Sequence, residues 1–295
     1  MANEITTTTA ALYIDTRWTP ELNRAIEFIM VHGQLFEDRS GLLPTGNILY
    51  EPSRHNLTAN TKAASTDATP EALTETRQTY TVDTHQVVAQ DIEDIAEIQS
   101  HYGVRRETTM AGSYALGRAF EVACANLFDD NTTQVVGAYG AELPDDQVLR
   151  AWRYIADAGR PPSMVGKPVV SIASPAMIVG FLKAERYSNS LYNGDTKGMA
   201  VREAQVGKLY GTTVYQSNLL SGTAPSASGT WFVRGHFFKI IQRRPTTHTW
   251  YSPLSLSWIV SMDQIYGVFE RLEADEAASV TTNSRALSVH LKSLK

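Results

Sequence analysis

The residues able to do chemistry are few and scattered. The chain holds one cysteine and seven histidines, and no two histidines stand at i, i+4 spacing for a shared ligand on a helix face. Gly166-Lys167 and Gly207-Lys208 are followed by Pro168 and Leu209, and the upstream glycine is misplaced, so neither forms a phosphate-cradling P-loop. Ser113 follows Gly112 but lacks the Gly-x-Ser-x-Gly elbow and falls within a helical pattern, so no nucleophile is expected there. His236, in Arg234-Gly235-His236, reads as a strand or loop residue rather than a base. Asp145-Asp146 is explained by the preference of a helix N-terminus for negative charge. Arg105-Arg106 and Arg243-Arg244 could meet phosphate, but they read as solvated or ion-paired arginines. The Asn56-Leu57-Thr58 sequon has no secretory context to give it meaning. No catalytic, cofactor-binding or metal-binding residue is assigned, no cofactor is implied, and no enzyme is expected.

With chemistry absent, the interest shifts to how the 295 residues are arranged. The composition, 43% hydrophobic and 19% charged, is that of a globular protein with a full core. A net charge of −5 and a pI near 5.8 argue against a dedicated nucleic-acid binder. Cys124 is expected as a buried reduced thiol, without a disulfide framework. The polar start has no apolar core and reads as no secretory signal. Pro168 to Leu182, the most apolar window, is too short and interrupted to span a bilayer, so no membrane partner is expected.

The stretch that organises the rest is Val104 to Phe128. Leu116, Phe120, Ala123, Cys124 and Leu127 recur at steps of three and four, with Met110, Tyr114 and Gly117 as a second line. Arg105, Arg106, Glu107, Arg118 and Glu121 are placed around the outside. At about 1.5 Å per residue the helix is a rod of roughly 37 Å. Ahead of it lies a Thr-rich lead, then a helix opened by Thr19-Pro20-Glu21 and running to about Leu35. Asn47 to Thr84 reads as a long two-stranded excursion with a polar tip. Ser53 to Ala72 holds Leu57 as its only large aliphatic side chain, and Arg77 to Val88 alternates like a strand. After the long helix, strand and helix alternate through Pro168–Ile172 and the helix begun at Ser174-Pro175. Strand-rich text follows from Gly207, joined by a small-residue loop, Ser221 to Gly229. The last fifteen or so residues read as a polar tail.

This order resembles the major capsid proteins of tailed bacteriophages with the Hong Kong 97-type shell fold. Tyr13 to Ser40 resembles the family's N-terminal arm, residues 41–88 its E-loop, and 104–128 its spine helix. Val206 to Leu220, VGKLYGTTVYQSNLL, resembles a late run of the axial domain, and DQIYGVFERLEA the returning peripheral strand. The resemblance implies an α+β fold divided as 1-40 arm, 41-88 E-loop, 89-133 peripheral domain with spine helix, 134-245 axial domain, 246-280 returning peripheral strands and 281-295 tail. It implies a subunit that assembles with itself as pentamers and hexamers around double-stranded DNA held by weak contact. The expected place is the virion capsid, assembled in the host cytoplasm. Scaffold and portal proteins are implied partners, with a cement or decoration protein as a further one. Some members join an E-loop lysine to a neighbour's asparagine; Lys62, the only lysine before Lys167, is the position to weigh, and a solvated lysine is expected. An encapsulin-like compartment shell, or an oligomeric α/β enzyme with an extended arm, are the alternatives.

Overall fold

The structure, a computed structural model, describes residues 31–54, 59–68, 70, 75–100, 103–129, 135–138, 144–157, 168–183, 208–220, 226–271 and 288–294. The helix expected from Thr19 lies outside these residues except for its end, α1 (His32–Leu35).

The long helix is present as α3 (Val104–Asp129), but its buried face turns along its length. In the first half Thr108, Gly112 and Leu116 face inward, and in the second half Glu121, Cys124, Ala125 and Phe128 do. The expected single stripe is therefore only partly right. Phe120, Ala123 and Leu127 are half-buried, and Met110 is exposed. The physical reason is that two different surfaces hold the helix.

The first surface is a four-stranded sheet in the order β1–β10–β11–β4. It comprises β1 (Glu37–Asp38), β4 (Thr84–Glu93), β10 (Phe237–Ser252) and β11 (Ser257–Glu270). β10, β11 and β4 are antiparallel, while the two residues of β1 run parallel to β10 at Phe238 and Lys239. α3 lies on β11 at close range: a Cβ on Gly112 would come 2.0 Å from Met262 Cε. The Phe120 ring meets Tyr266 edge-on at 4.9 Å. β4 begins at Thr84, inside the span assigned to the extended excursion, and β10 crosses the 245/246 boundary as one continuous strand. A hairpin this long keeps its two halves in one sheet.

The second surface is a six-stranded mixed sheet in the order β5–β12–β9–β6–β8–β7. Its strands are β5 (Val135–Gly137), β6 (Val169–Ala173), β7 (Lys208–Leu209), β8 (Thr212–Gln216), β9 (Ser226–Val233) and β12 (Ser288–Leu294). Both faces are covered, which is why these strands read as continuous apolar runs. Val169, Trp231, Val233, Val289 and Leu291 face α4 (Asp145–Asp157) and α5 (Pro175–Lys183). Val170, Ile172 and Phe232 face the end of α3. Phe128 is the joint, touching Phe36, Phe232 and Phe237 at 4.9–5.3 Å between ring centroids.

Two expectations fall here. The supposed tail at 281-295 contains β12, paired parallel to β5 and antiparallel to β9, with Ser288 to Leu291 buried. Its polar composition misled because Ser288 and His290 find partners inside: His290 Nδ1 stands 3.0 Å from the Phe128 carbonyl oxygen and Ser288 donates to Glu270. The supposed loop at Ser221 to Gly229 likewise ends in strand, since Ser226 to Gly229 belong to β9. Small residues are needed there, because a Cβ on Gly229 would meet Met177 Sδ at 2.7 Å and the Ile172 carbonyl at 3.0 Å.

Candidate assembly surfaces

Gly166-Lys167, Gly207 and Asn56-Leu57-Thr58 lie outside the described residues; among the described ones, the sequence positions weighed for chemistry are distributed across the molecule and do not converge. Ser113 donates to the Thr109 carbonyl along its own helix. His236 is buried in the turn after β9, with Nε2 2.8 Å from Glu270 Oε1. Asp145 sits in the first turn of α4 and accepts from the Tyr210 hydroxyl at 2.8 Å. Cys124 is fully buried, and burial pushes its thiol up. Arg105 pairs with Glu97 at 2.7 Å and lies over the Trp258 ring. Arg243 pairs with Asp263, while Arg244 is exposed at the edge of β10. Lys62 is exposed.

What the described residues do present is a set of surfaces with little support of their own. The first is a two-stranded ribbon, β2 (Ile48–Arg54) antiparallel to β3 (Glu75–Thr81), in register from Ile48–Thr81 to Arg54–Glu75. Only its root is packed. Tyr80 and Val82 join Leu43, Phe238 and Ile240 in a small core, and the Tyr80 ring meets Phe238 edge-on at 4.9 Å. Burial, reinforced by the nearby Glu51 charge, pushes the Tyr80 hydroxyl up to about 12. On the face turned away from that core Ile48 and Tyr50 are exposed, with Arg77 over the Tyr50 ring. A ribbon of this kind is marginal in isolation.

The second surface is the distal end of the four-stranded sheet. The turn Pro253 to Leu256 joins β10 to β11, and α2 (Asp94–Gln99) lies against it through the Asp94 N–H to the Leu256 carbonyl. Here Ile95, Ile98, Leu254 and Leu256 are exposed, Leu254 completely. Leu256 also holds φ +47°, a left-handed conformation that is costly for a residue with a side chain.

The third is the sheet face turned away from α3. Asp263 sits at its centre with three cations or potential cations converging from both neighbours. Arg243 Nη1 is 2.8 Å from Oδ2, His85 Nε2 is 3.1 Å from Oδ2, and His248 Nε2 is 3.3 Å from Oδ1. The Arg243 hydrogen bond is the main reason the carboxyl lies below its usual range, with His85 and nearby positive charge adding to it. One carboxylate thereby ties β4, β11 and β10 together. Among the described residues no group of three His, Cys, Asp or Glu is placed to hold a metal ion; here Arg243 supplies the positive charge.

One site was missed by the sequence. Glu121, expected among the exterior charges of the long helix, is 3% exposed and receives the start of α1. Its two oxygens accept from the backbone N–H groups of Val31, His32 and Gly33 at 3.1, 2.7 and 2.8 Å, and Oε2 meets His32 Nδ1 at 2.8 Å. Lys239 Nζ donates to the Gly33 carbonyl at 2.6 Å from the other side. Burial works to raise the Glu121 pKa, but the His32 contact and the backbone donors outweigh it and hold the carboxyl below its ordinary value. Gly33 is required, because a Cβ there would meet Phe120 Cε1 at 2.8 Å and Glu121 Oε1 at 2.9 Å. Spacing alone could not single out one glutamate on a charged helix.

No helix among the described residues is long and apolar enough to cross a membrane. No family model matches the sequence, and no curated protein matches it. Solved structures do match along the whole chain. A chain from Mycobacterium phage Che8 superposes with a TM-score of 0.77 at 19% identity, covering 95% of this chain and 97% of that one. The capsid structure of cyanophage P-SCSP1u gives 0.72 at 14% identity, covering 99% and 96%. The head structure of Helicobacter pylori bacteriophage KHP40 gives 0.72 at 11% identity, covering 99% of both chains. The chain therefore has an α+β fold shared over its whole length with phage capsid structures, as the resemblance to the Hong Kong 97-type shell fold implies.

Proposed function

We propose that this chain is the major capsid protein of a tailed double-stranded DNA bacteriophage, assembling with itself as pentamers and hexamers into the icosahedral head. The observation that carries the reading is the whole-length match to capsid chains in a molecule whose ribbon buries only its root. In a lone subunit the exposed Ile48 and Tyr50 of the ribbon, and Leu254, Leu256 and Ile98 of the sheet tip, have no reason to be apolar. In a shell each would lie against another copy. The spine and its two cores give the rigid body, and the ribbon and arm reach neighbours. No active site is invoked, and the protein acts as structure rather than as an enzyme.

The axial and peripheral division at 89-133, 134-245 and 246-280 follows the same reading, with β10 carried into the peripheral sheet. Scaffold and portal proteins, and a cement or decoration protein, are the partners it implies. The net charge of −5 suits a container that touches packaged DNA weakly. Lys62, exposed near the ribbon tip, is read as a solvated lysine rather than a cross-link. Sedimentation of the expressed chain, alone and with its neighbouring genes, tests the function. Capsomers or shells are expected; a 32.5 kDa monomer at every concentration and in both settings contradicts it.

A further inference from the structure

One strand edge of the four-stranded sheet stands open. β10 is paired by β1 only at Phe238 and Lys239, and the chain around Ser40 and Leu43 bonds it at Ile241 and Gln242. From Arg243 to Tyr251 every residue is exposed, whichever face its side chain is on. The near part of this edge is protected in the usual ways, by Arg243, Arg244 and Pro245 and by irregular register between Ile241 and Thr246. The far part is not. Thr246 to Ser252, TTHTWYS, keeps regular register with β11, is rich in strong β-formers and holds no proline, lysine, arginine or carboxylate. Among the described residues no second strand pairs with it. Such a run is a template for another strand.

The run is also symmetric. It is bounded by Pro245 and Pro253, neither of which can donate to a ladder, and Thr249 is its midpoint. An antiparallel partner of the same sequence, with Thr249 opposite Thr249, uses the whole run and keeps the prolines at its two ends. This register sets Thr246 opposite Ser252, Thr247 opposite Tyr251 and His248 opposite Trp250, with no like charges facing each other. Opposed residues then share a face. His248 and Trp250 lie on the face of Asp263, and Tyr251 lies on the face of α3, where its ring meets Trp258 at 5.2 Å.

The axis relating the two strands passes through Thr249 perpendicular to the sheet. Rotation about it leaves each face of the sheet on its own side, so both copies of α3 lie on one side of the joined sheet. The described elements leave the approach clear. α3 lies over β11 and β4, where Gly112 neighbours Met262 and Val88. The ribbon starts where Gln242 bonds the Gly46 carbonyl and leads to Glu51, which pairs with Arg39 and Arg271, away from the Pro253 to Leu256 turn.

We propose that Thr246–Ser252 of β10 pairs antiparallel with the same segment of a second copy of this chain, so that two four-stranded sheets join across a two-fold axis. The same edge serves both copies, so the contact closes as a pair and links subunits two by two rather than around a ring. It deepens the shell reading above and rests on it.

A single engineered cysteine tests the contact, since the sole native thiol, Cys124, is buried. Directly opposed residues of antiparallel strands have Cα atoms about 4.5–5.5 Å apart, within the reach of a disulfide. Particles of Thr249→Cys, oxidised and run on a non-reducing denaturing gel, should give dimers. Thr247→Cys should stay monomeric, because its own copy stands four residues along the partner strand, about 13 Å away. The Thr247→Cys, Tyr251→Cys double variant should give dimers again, and it reads the same register if Thr249→Cys does not assemble. As a second measurement, Thr249→Lys sets two cations opposite each other at an exposed position. It should leave the melting of the subunit unchanged and lose most of the particles. Assembled particles in which Thr249→Cys and the double variant both stay monomeric overturn the contact. So do dimers from Thr247→Cys alone, or a normal particle yield from Thr249→Lys. A different segment of this chain on the edge would bring no thiol and would also leave monomers. Failure of the unaltered chain to assemble in any setting overturns the shell reading instead, and the contact with it.

Discussion

The Glu121 carboxylate accepts the His32 backbone N–H at 2.7 Å and meets the same residue's Nδ1 at 2.8 Å, so one side chain on the long helix α3 fixes the start of α1. With Val31 and Gly33 also donating, four polar hydrogens from one short turn converge on a single buried carboxylate. Charge-assisted bonds of this type are stronger than neutral ones, and removing the acceptor leaves buried donors unpaired. Glu121→Ala should therefore cost about 3 kcal/mol or more of stability in denaturant unfolding. Glu121→Gln, which keeps the shape, should cost less.

The same site gives a sign for pH. Because the folded Glu121 pKa lies below its ordinary value of 4.5, its contribution is fully present above that value. It is lost as pH falls through the folded pKa. Thermal melts taken downward from pH 6 should show a loss of stability below about pH 4.5 that is smaller in Glu121→Gln than in the unaltered protein. An identical acid profile in the two proteins would remove this role.

Phe128 is fully buried where the α1 segment, both sheets and α3 meet. Truncating a large aromatic in such a place leaves a cavity that stiff neighbours cannot fill. Phe128→Ala should cost about 3–5 kcal/mol and yield misfolded or insoluble protein. Phe120, which is only half-buried, should cost less when truncated.

The ribbon should behave in the opposite way. Arg54 and Glu75 are paired across it, so residues 55–74 can be replaced by a Gly-Ser turn without disturbing the root around Tyr80. At roughly 25 cal/mol per Å² of apolar burial, a segment whose only large aliphatic residues are Leu57 and Leu73 cannot offset about 1 kcal/mol or more per ordered residue. The shortened chain should melt close to the original, yet fail to form stable shells. Normal particles from it, or unfolding as severe as Phe128→Ala, would count against the ribbon as an assembly element.

Gly112 offers a finer test of the contact between spine and sheet. Its first added atom would meet Met262 Cε, the flexible end of a side chain, so Gly112→Ala should be mild. Gly112→Val asks for more room and should cost about 1–3 kcal/mol.

Much of this architecture was legible from periodicity and order. The long helix, the polar excursion and the buried strand before Ser174-Pro175 could all be read from residue types. What could not be read depends on partners far away in the chain. Glu121 looks like Arg118 from spacing alone, and its partners at Val31, His32 and Gly33 lie some ninety residues away in the chain. β12 looks like a polar tail because Ser288 and His290 are satisfied by Glu270 and the Phe128 carbonyl, contacts invisible to a local window. Gly229 and its small neighbours look like a loop until Met177 and the Ile172 backbone press against them. The Asp263 cluster draws on three strands separated by up to 178 residues, and no motif announces it.

The central claim is that this chain builds a closed shell from copies of itself. Electron microscopy of the expressed protein, with and without its neighbouring genes, tests it in one measurement. The account predicts closed particles tens of nanometres across, with pentameric and hexameric units resolved by averaging. Isolated monomers or small open oligomers in every preparation would contradict it.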